Sequence, residues 1–379
     1  MNHKDTLAIY TPGLGVPSET FIRRHIEGIA PGRTVVICDT VLSPPAGNWS
    51  VNCPIHCTSS RLNWGARLLR RQLTGDGLLP LVDPLLLFLK KHRVRVLLGE
   101  SLDQSLSLFR LLRGRDIRFF VHAHGHDLAR CLQQDEYRRG YLEYSEAAGV
   151  ISMSQKGKDS LVALGLPSDQ VHVARYGVDV TQEIPRTSTV DSIVRCVAVG
   201  RMTNIKAPIL LLESFRRAAE ADPKLHLDYI GGGELFAMAA HYVRAWQLQE
   251  RVTLHGVQPS PFVADLMAKA DIFLQHSAAD PTNGDMEGLP VAILEAMARG
   301  LPVVSTRHAG IPEQVVEEET GILVDEGDVD GMAKGILRLA IDPSLRQRMG
   351  QAGHRRALEN FTWEKNRDEL RAVMGIHFP

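Results

Sequence analysis

Short apolar runs alternate with segments of helical pattern along the whole chain of 379 residues, and this alternation limits the possible folds more than any other feature. In the second half the predicted strands are IVRCVAVGR, LHLDYIGGG, RVTLHG, DIFLQHS, LPVVST and GILV. Strands that are apolar throughout are typical of parallel sheets whose two faces are both covered by helices. The sequence therefore predicts an α/β protein built on doubly wound parallel sheets.

The first half follows the same plan, with TLAIY, RTVVIC, RVLLGE, IRFFVHAHG and GVISMS as its predicted strands. A polar stretch, DVTQEIPRTSTVDS, separates the halves at residues 179–192, as is common at a domain boundary. We therefore predict Rossmann-like domains at residues 1–185 and 186–360, and a C-terminal helix at 361–379 that packs back on the first domain. Two such domains facing each other form a cleft, and ligands bind there at the carboxyl ends of the strands.

The overall composition argues against several classes of protein. The net charge is −1, which gives no reason to expect a nucleic-acid partner. The five cysteines do not form the paired motifs of a zinc site. No apolar run reaches the ~18 residues that a membrane span needs, and the N-terminal residues do not read as a signal peptide. We therefore expect a cytoplasmic protein.

Residues 61–95 depart from this neutrality, because arginines and lysines far outnumber aspartates there. A basic amphipathic helix can lie on an anionic membrane surface, which would place the protein peripherally at the inner face of the membrane. A solvated basic face on an otherwise buried helix explains the same residues equally well.

The segment GDMEGLPVAILEAMARGLPVV carries a glutamate on each side of an apolar run. Pro290 fits the first position of a helix that we predict to continue to Arg299. Glu287 precedes this helix, where free N–H groups favour an anion, and Glu295 falls on the rim of the apolar face. Two surface glutamates beside a core helix are the alternative interpretation.

Three other loops are predicted at the same edge of the second sheet. The loop GRMTNIKAP contains Arg201 and Lys206, which suit a diphosphate but are also ordinary solvent-exposed residues. The glycines of IGGGE, residues 230–234, fit a phosphate-binding loop or close packing of backbone. Val257 ends HGV, whose backbone could pair with a nucleotide base or simply end a strand.

Alternating histidines in VHAHGHD end a predicted strand of the first domain. His122, His124 and His126 would share one face if the strand continued, and that pattern suits a metal. Gly125 is expected to end the strand, so we favour one histidine in the cleft and no metal site. Asp328 and Asp330 open a later helix, where capping is the favoured interpretation.

These motifs together resemble family 4 of the retaining glycosyltransferases, which have the GT-B architecture of two facing Rossmann-like domains. The resemblance rests on VGRMTNIK, LHGVQP, ADIFLQHS, GDMEGLPVAILEAMARGLPVVST, AGIPEQV and TGILVDEGD. PSETFIRRHI and HAHGHD resemble bacterial members that build capsular polysaccharides and exopolysaccharides. The resemblance implies that the first domain binds an acceptor and the second binds a nucleotide sugar.

The resemblance also implies roles for particular residues. His124 and Glu287 match catalytic positions near the donor sugar, with His126 as a second candidate on the acceptor side. Glu295 matches the glutamate that binds the ribose hydroxyls. The remaining donor-binding positions are Gly15, Arg201, Lys206, Val257, Gly288, Leu289, Pro290 and Val291. Ser18, which we expect to cap the first helix, and Glu19 fall on the acceptor side, in a loop without the adjacent glycines of many members.

The implied reaction is transfer of a sugar from a nucleotide-diphosphate sugar to a hydroxyl of a glycan or lipid-linked acceptor, with retention at the anomeric carbon. No cofactor is required, and Mg²⁺ bound with the nucleotide stays an open alternative. A nucleotide-sugar epimerase or hydrolase of the same architecture, and a non-catalytic scaffold that binds sugar nucleotides, are the competing functions.

Overall fold

The computed structural model describes residues 5–16, 19–43, 49–58, 83–184 and 193–377. Ser18, most of the basic segment and the predicted domain boundary at residue 185 lie outside the described residues. The described chain forms two parallel sheets, each with helices on both of its faces. The predicted α/β class and the doubly wound plan are therefore confirmed.

The first sheet has the strand order β3-β2-β1-β4-β5-β6-β7. Its strands are β1 (Thr6–Leu14), β2 (Thr34–Val41), β3 (Ile55–Cys57), β4 (Val94–Glu100), β5 (Arg118–Ala123), β6 (Gly149–Ser152) and β7 (Val171–Val173). Its helices are Thr20–Gly28, Pro84–Lys91, Leu102–Leu112, Gly125–Ala129, Asp135–Leu142 and Gln155–Leu164. The order reverses between β1 and β4, so the loops after these two strands border a crevice.

The second sheet has the strand order β10-β9-β8-β11-β12-β13. Its strands are β8 (Val194–Val199), β9 (Leu225–Ile230), β10 (Val252–Gly256), β11 (Ile272–Leu274), β12 (Val303–Thr306) and β13 (Gly321–Val324). Its helices are Pro208–Ala221, Phe236–Ala245, Ser260–Lys269, Val291–Met297, Ile311–Gln314, Val329–Ile341 and Pro343–Asn360.

Side chains on both faces of each sheet are buried, which explains the apolar strands. In β1, Leu7 and Ile9 pack with the core on one face, while Ala8 and Tyr10 pack on the other. In the second sheet, Val197 and Val303 face one core and Cys196 and Val304 face the other. Burial on both faces removes the alternation that marks a half-exposed strand.

Three local predictions were wrong. The edge strands β3 and β7 were missed, because three residues are too short to show a pattern. The first helix begins at Thr20 with Glu19 at its N-cap, rather than after Ser18. The helix after Glu287 is Val291–Met297, because Pro290 stays extended at the N-cap and its carbonyl accepts a hydrogen bond from Gln314.

The chain passes between the domains twice, and the two crossings lie side by side. Val178 donates its N–H to the carbonyl of Phe361 (2.9 Å) and accepts from the N–H of Trp363 (3.0 Å). The last helix, Trp363–Met374, then buries Leu370 and Met374 in the core of the first domain. The end of the chain therefore closes the first domain after completing the second.

The described part of the basic segment forms the helix Pro84–Lys91, with Asp83 as its cap. Leu85 and Leu89 are buried, whereas Leu87 is 52% exposed. Of the helices in the described ranges, none combines the length and the apolar character needed to cross a bilayer.

Candidate active site

The loop before the helix Val291–Met297 holds an ion pair at the edge of the second sheet. Nζ of Lys206 lies 2.9 Å from Oε1 of Glu287, and only 16% and 14% of the two side chains is exposed. A carboxylate and an ammonium are thus held together where water is largely excluded. The two charges predicted from separate motifs therefore meet in the folded chain.

A second layer of side chains fixes the loop that carries Glu287. The N–H of Glu287 donates to Nε2 of His308 (3.0 Å), and Nδ1 of His308 contacts Oε1 of Glu326 (2.7 Å). The N–H of Gly310 donates to the carbonyl of Gly288 (3.1 Å). Because these partners lie beyond β12 and β13, the glutamate is positioned by segments that follow it in sequence.

The loop that carries Lys206 is fixed in a similar way. Residues Asn204–Lys206 form a 3-10 turn, and the amide of Asn204 contacts both carboxylate oxygens of Asp280 at 3.3 Å. The lysine stem lies on Gly200, where a Cβ would approach it to 3.3 Å. Arg201 is exposed, and its guanidinium has no ion-pair partner among the described residues. The site thus offers one fixed cation and one available cation.

Glu295 lies half-buried on the helix after this loop. Burial raises the pKa of its carboxyl group, and the charges of Arg299 and Arg24 partly oppose that increase. Its carboxylate has no hydrogen-bond partner within the described ranges, so it is available to a polar ligand. Because Arg24 belongs to the first domain, this glutamate faces the crossing between the domains. Its role toward ribose stays a prediction.

The two domains meet directly at the glycine that follows Glu287. A Cβ added to Gly125 would lie 2.5 Å from the N of Gly288, so only glycine allows this approach of the two backbones. Nearby, Nδ1 of His126 lies 3.3 Å from Oδ2 of Asp285, and this hydrogen bond raises the pKa of His126 to about 10. His126, 47% exposed, therefore faces the opposite domain across the cleft.

A buried polar cluster lies on the first-domain side, centred on Glu100 at the end of β4. Its carboxylate contacts Nδ1 of His25 (2.6 Å), Nδ1 of His122 (3.2 Å) and Nε2 of His124 (3.1 Å). The other ring nitrogen of His124, Nδ1, shares a hydrogen bond with the hydroxyl of Tyr176. Both nitrogens of His124 are therefore bound within the protein, and its predicted contact with a donor sugar stays a prediction.

The other predicted residues have separate surroundings. Gly15 has a φ of +99° and packs against the carbonyls of Leu42 and Trp49. Burial raises the pKa of Glu19, the charges of His124 and Arg201 oppose this, and its Oε2 has no hydrogen-bond partner among the described residues. Val257 is 74% exposed beyond β10. These positions stay predictions for donor and acceptor binding.

Two further motifs have structural roles in the folded chain. A Cβ on Gly231 would lie 1.8 Å from the carbonyl oxygen of Gly200, so the IGGG glycines allow the ends of β8 and β9 to meet. Asp328 caps the helix Val329–Ile341 by accepting from the N–H of Gly331 (2.8 Å). The phosphate-binding interpretation of the IGGGE glycines stays a prediction.

Sequence reasoning missed the residues that support the site. Glu100 is a charged residue at the end of a buried parallel strand, and that position was a usable signal. His308 and Glu326 also follow buried strands, β12 and β13, but only folding shows that they lie beneath Glu287.

Comparison with known proteins finds a family model that matches the second domain. Residues 190–356 match the family described as "Glycosyl transferases group 1". The chain is 32% identical over 244 residues to the amylovoran biosynthesis glycosyltransferase AmsK of Erwinia amylovora, covering 63% of this chain and 58% of the relative. It is 34% identical over 202 residues to the putative colanic acid biosynthesis glycosyltransferase WcaL of Escherichia coli K12, covering 53% and 48%. The chain thus spans about half the length of the curated relatives it matches.

Solved structures share the fold over nearly the whole chain. Anabaena Alr3699/HepE, solved in complex with UDP and glucose, superposes with a TM-score of 0.74 at 15% identity, covering 98% of this chain and 99% of that one. Sucrose-phosphate synthase from Thermosynechococcus elongatus superposes with a TM-score of 0.73 at 17% identity, covering 97% and 98%. The predicted GT-B architecture is therefore confirmed.

Proposed function

We propose, on the premise that residues 190–356 form a group 1 glycosyltransferase domain, that this chain transfers a sugar from a nucleotide-diphosphate sugar to a hydroxyl group. The acceptor is a glycan or a lipid-linked acceptor, and the reaction belongs to the synthesis of a bacterial surface polysaccharide. The names of the relatives AmsK and WcaL support this context. Retention at the anomeric carbon follows from the resemblance to family 4.

The observation that carries the proposal is the ion pair between Lys206 and Glu287 beside the exposed Arg201. A diphosphate entering the cleft would take Lys206 as a point-charge partner and Arg201 as a bidentate partner. Glu287 would then be free to accept hydrogen bonds from sugar hydroxyls. The helix Val291–Met297 has only seven residues, so side-chain charge rather than its dipole supplies most of the stabilisation.

The chemistry requires one bond to break and one to form. The bond between the anomeric carbon and the diphosphate oxygen breaks, and the bonding electrons leave with the diphosphate. The acceptor oxygen forms the new bond on the same face of the sugar, and its proton passes to the leaving phosphate oxygen. Fixed cations beside the growing negative charge lower the barrier, because such preorganised charge is usually the largest catalytic contribution.

The test is a panel of nucleotide sugars measured by thermal shift and by transfer to polysaccharide-repeat acceptors. A donor that binds the native state raises the melting temperature. We expect the donor that binds to be consumed only with an acceptor, and the product to keep the anomeric configuration by NMR. Consumption of donor without acceptor would instead identify an epimerase or hydrolase. Binding without turnover across the panel would identify a scaffold.

We also propose that residues 61–95 contact an anionic membrane surface. In the described part, Leu87 projects from the helix Pro84–Lys91, with exposed Lys90, Lys91 and Arg93 close by in sequence. This combination suits an interface of apolar chains and anionic headgroups. Flotation with phosphatidylglycerol vesicles should recover the protein at low salt and lose it with Leu87→Ser. Met238→Ser, on an exposed apolar residue of the second domain, is the matched control. Equal recovery with neutral vesicles would refute the proposal.

A further inference from the structure

The cluster around Glu100 concentrates titratable groups where water does not reach. Glu100 is 1% exposed, and His25 and His122 are equally buried. Both of these imidazoles direct Nδ1 at the carboxylate, and their Nε2 atoms have no hydrogen-bond partner in the part of the chain that the structure describes. His124 differs, because its side chain is 16% exposed toward the cleft.

The spacing in this cluster fits hydrogen bonds better than a shared metal ion. Two ligand atoms bound to one tetrahedral zinc ion at its usual distances stay about 3.3 Å apart. Nδ1 of His25 lies 2.6 Å from Oε1 of Glu100, which is closer than that and corresponds to a short hydrogen bond. A proton between the two atoms explains this contact.

The buried carboxylate needs positive charge nearby, and three imidazoles lie within hydrogen-bond distance of it, of which only His124 is partly exposed toward the cleft. Burial raises the pKa of Glu100, but the three histidines outweigh it and hold the pKa well below its usual value. Burial lowers the pKa of His122 to about 4, so this ring is neutral near pH 7. The pKa of His124 is raised, because its hydrogen bond and charge interaction with Glu100 outweigh the lowering effect of burial.

Several elements place charged or titratable groups around His124. Glu100, Asp127 and Glu19 act directly on its ring, Tyr176 bonds its Nδ1, and His122 packs against it. His25 acts on Glu100 and His122, and Arg201 of the second domain acts on Glu19. Glu100 is the only carboxylate among them that bonds directly to the ring of His124.

We propose that Glu100 is a positioning residue that orients His124 and keeps it as an imidazolium at the first-domain wall of the cleft. The inference rests on the proposed function, because a charged His124 would stabilise a leaving diphosphate from the side opposite Lys206. The adjacent Gly125 contacts Gly288, so closure of the domains brings this charge to the donor loop. Tyr176 fixes the second nitrogen and thus the plane of the ring.

The test compares Glu100→Gln with Glu213→Gln, a matched change in an ion-paired glutamate on the helix Pro208–Ala221. Imidazole NMR of the full-length protein, assigned with His124→Asn, follows the titration of His124. Calorimetry with inorganic pyrophosphate follows binding of a diphosphate that has neither base nor sugar. We expect Glu100→Gln to lower the proton affinity of His124 at least tenfold and to move the loss of pyrophosphate affinity to lower pH. Glu213→Gln should match the wild type.

Each outcome decides the inference separately from the transferase proposal. An unchanged His124 titration in Glu100→Gln overturns it, as does a wild-type His124 that is neutral at pH 6.5. A shifted titration with pyrophosphate binding that ignores pH overturns the role toward the diphosphate. If Glu100→Gln does not fold, the titration of His124 in Glu100→Asp and in the wild type tests the inference in the same way. Failure to find any sugar transfer, with both shifts present, would refute the transferase proposal alone.

Discussion

Replacing Lys206 with methionine tests the proposed diphosphate site most directly. Methionine keeps much of the stem that lies on Gly200 and removes only the charge. At 2.9 Å from Glu287, the gross attraction is about 6 kcal/mol for an effective dielectric constant of about 20. A diphosphate at a similar distance would gain comparably from this cation. Removing one preorganised charge of this kind lowers kcat by about 10²–10³, which corresponds to about 3–4 kcal/mol.

The same change also affects stability, and the two effects must be separated. Glu287 would lose its cation while its side chain stays 14% exposed, and leaving one partner of a largely buried ion pair unpaired costs about 3–5 kcal/mol. The double variant Lys206→Met with Glu287→Gln removes both charges. We expect it to recover the unfolding free energy without recovering transfer.

The assay is a steady-state measurement of transfer together with urea unfolding for the wild type, both single variants and the double variant. A Lys206→Met protein with kcat within threefold of the wild type would refute the diphosphate assignment. Recovery of activity in the double variant would show that the pair is structural only.

Three further changes test the contact between the domains and the buried histidines. Gly125→Ala should lower the rate of transfer at least 10²-fold with a normal free energy of unfolding, because its Cβ would lie 2.5 Å from the N of Gly288. Gly353→Ala is the control and should be active, because its nearest contact would be 3.7 Å. Equal transfer rates in the two variants would refute domain closure at this point. The carboxylate of Glu313 accepts hydrogen bonds from the N–H groups of Gln155 and Lys156 across the domains (2.9 and 3.0 Å), and Glu313→Gln removes its charge and weakens them. X-ray scattering in solution should then show a larger radius of gyration. An unchanged radius of gyration would contradict this prediction. Burial lowers the pKa of His276 to about 4, so the folded state binds this proton less tightly than the unfolded state, and the free energy of unfolding falls as pH drops from 6.5 to 4. His276→Gln should reduce this fall by up to about 3 kcal/mol. A variant whose melting temperature depends on pH as in the wild type would refute this prediction.

The arrangement of secondary structure was largely readable from the sequence. Apolar runs such as LAIY and VVIC must be buried on both faces, and this condition leaves few alternatives to a parallel sheet covered by helices. The two three-residue edge strands were not readable, because β-bridges of that length depend on a neighbouring strand rather than on their own residues.

The chemistry of the site was readable only where one short segment carried it. Glu287, Glu295, Lys206 and Arg201 stand in motifs whose spacing is local, so a resemblance could identify them. His308, Glu326 and Gln314 stabilise the same loop from later segments, and the local sequence does not show which loop they contact.

The sequence by itself determined which segments become strands and helices and which charged residues end them, because hydrophobic periodicity and capping act over a few residues. Only the tertiary structure decided that Glu100 gathers three imidazoles, that Gly125 meets Gly288, and that Lys206 pairs with Glu287. These contacts join residues far apart in the chain, and their energies depend on burial and distance, which exist only after the two sheets have packed.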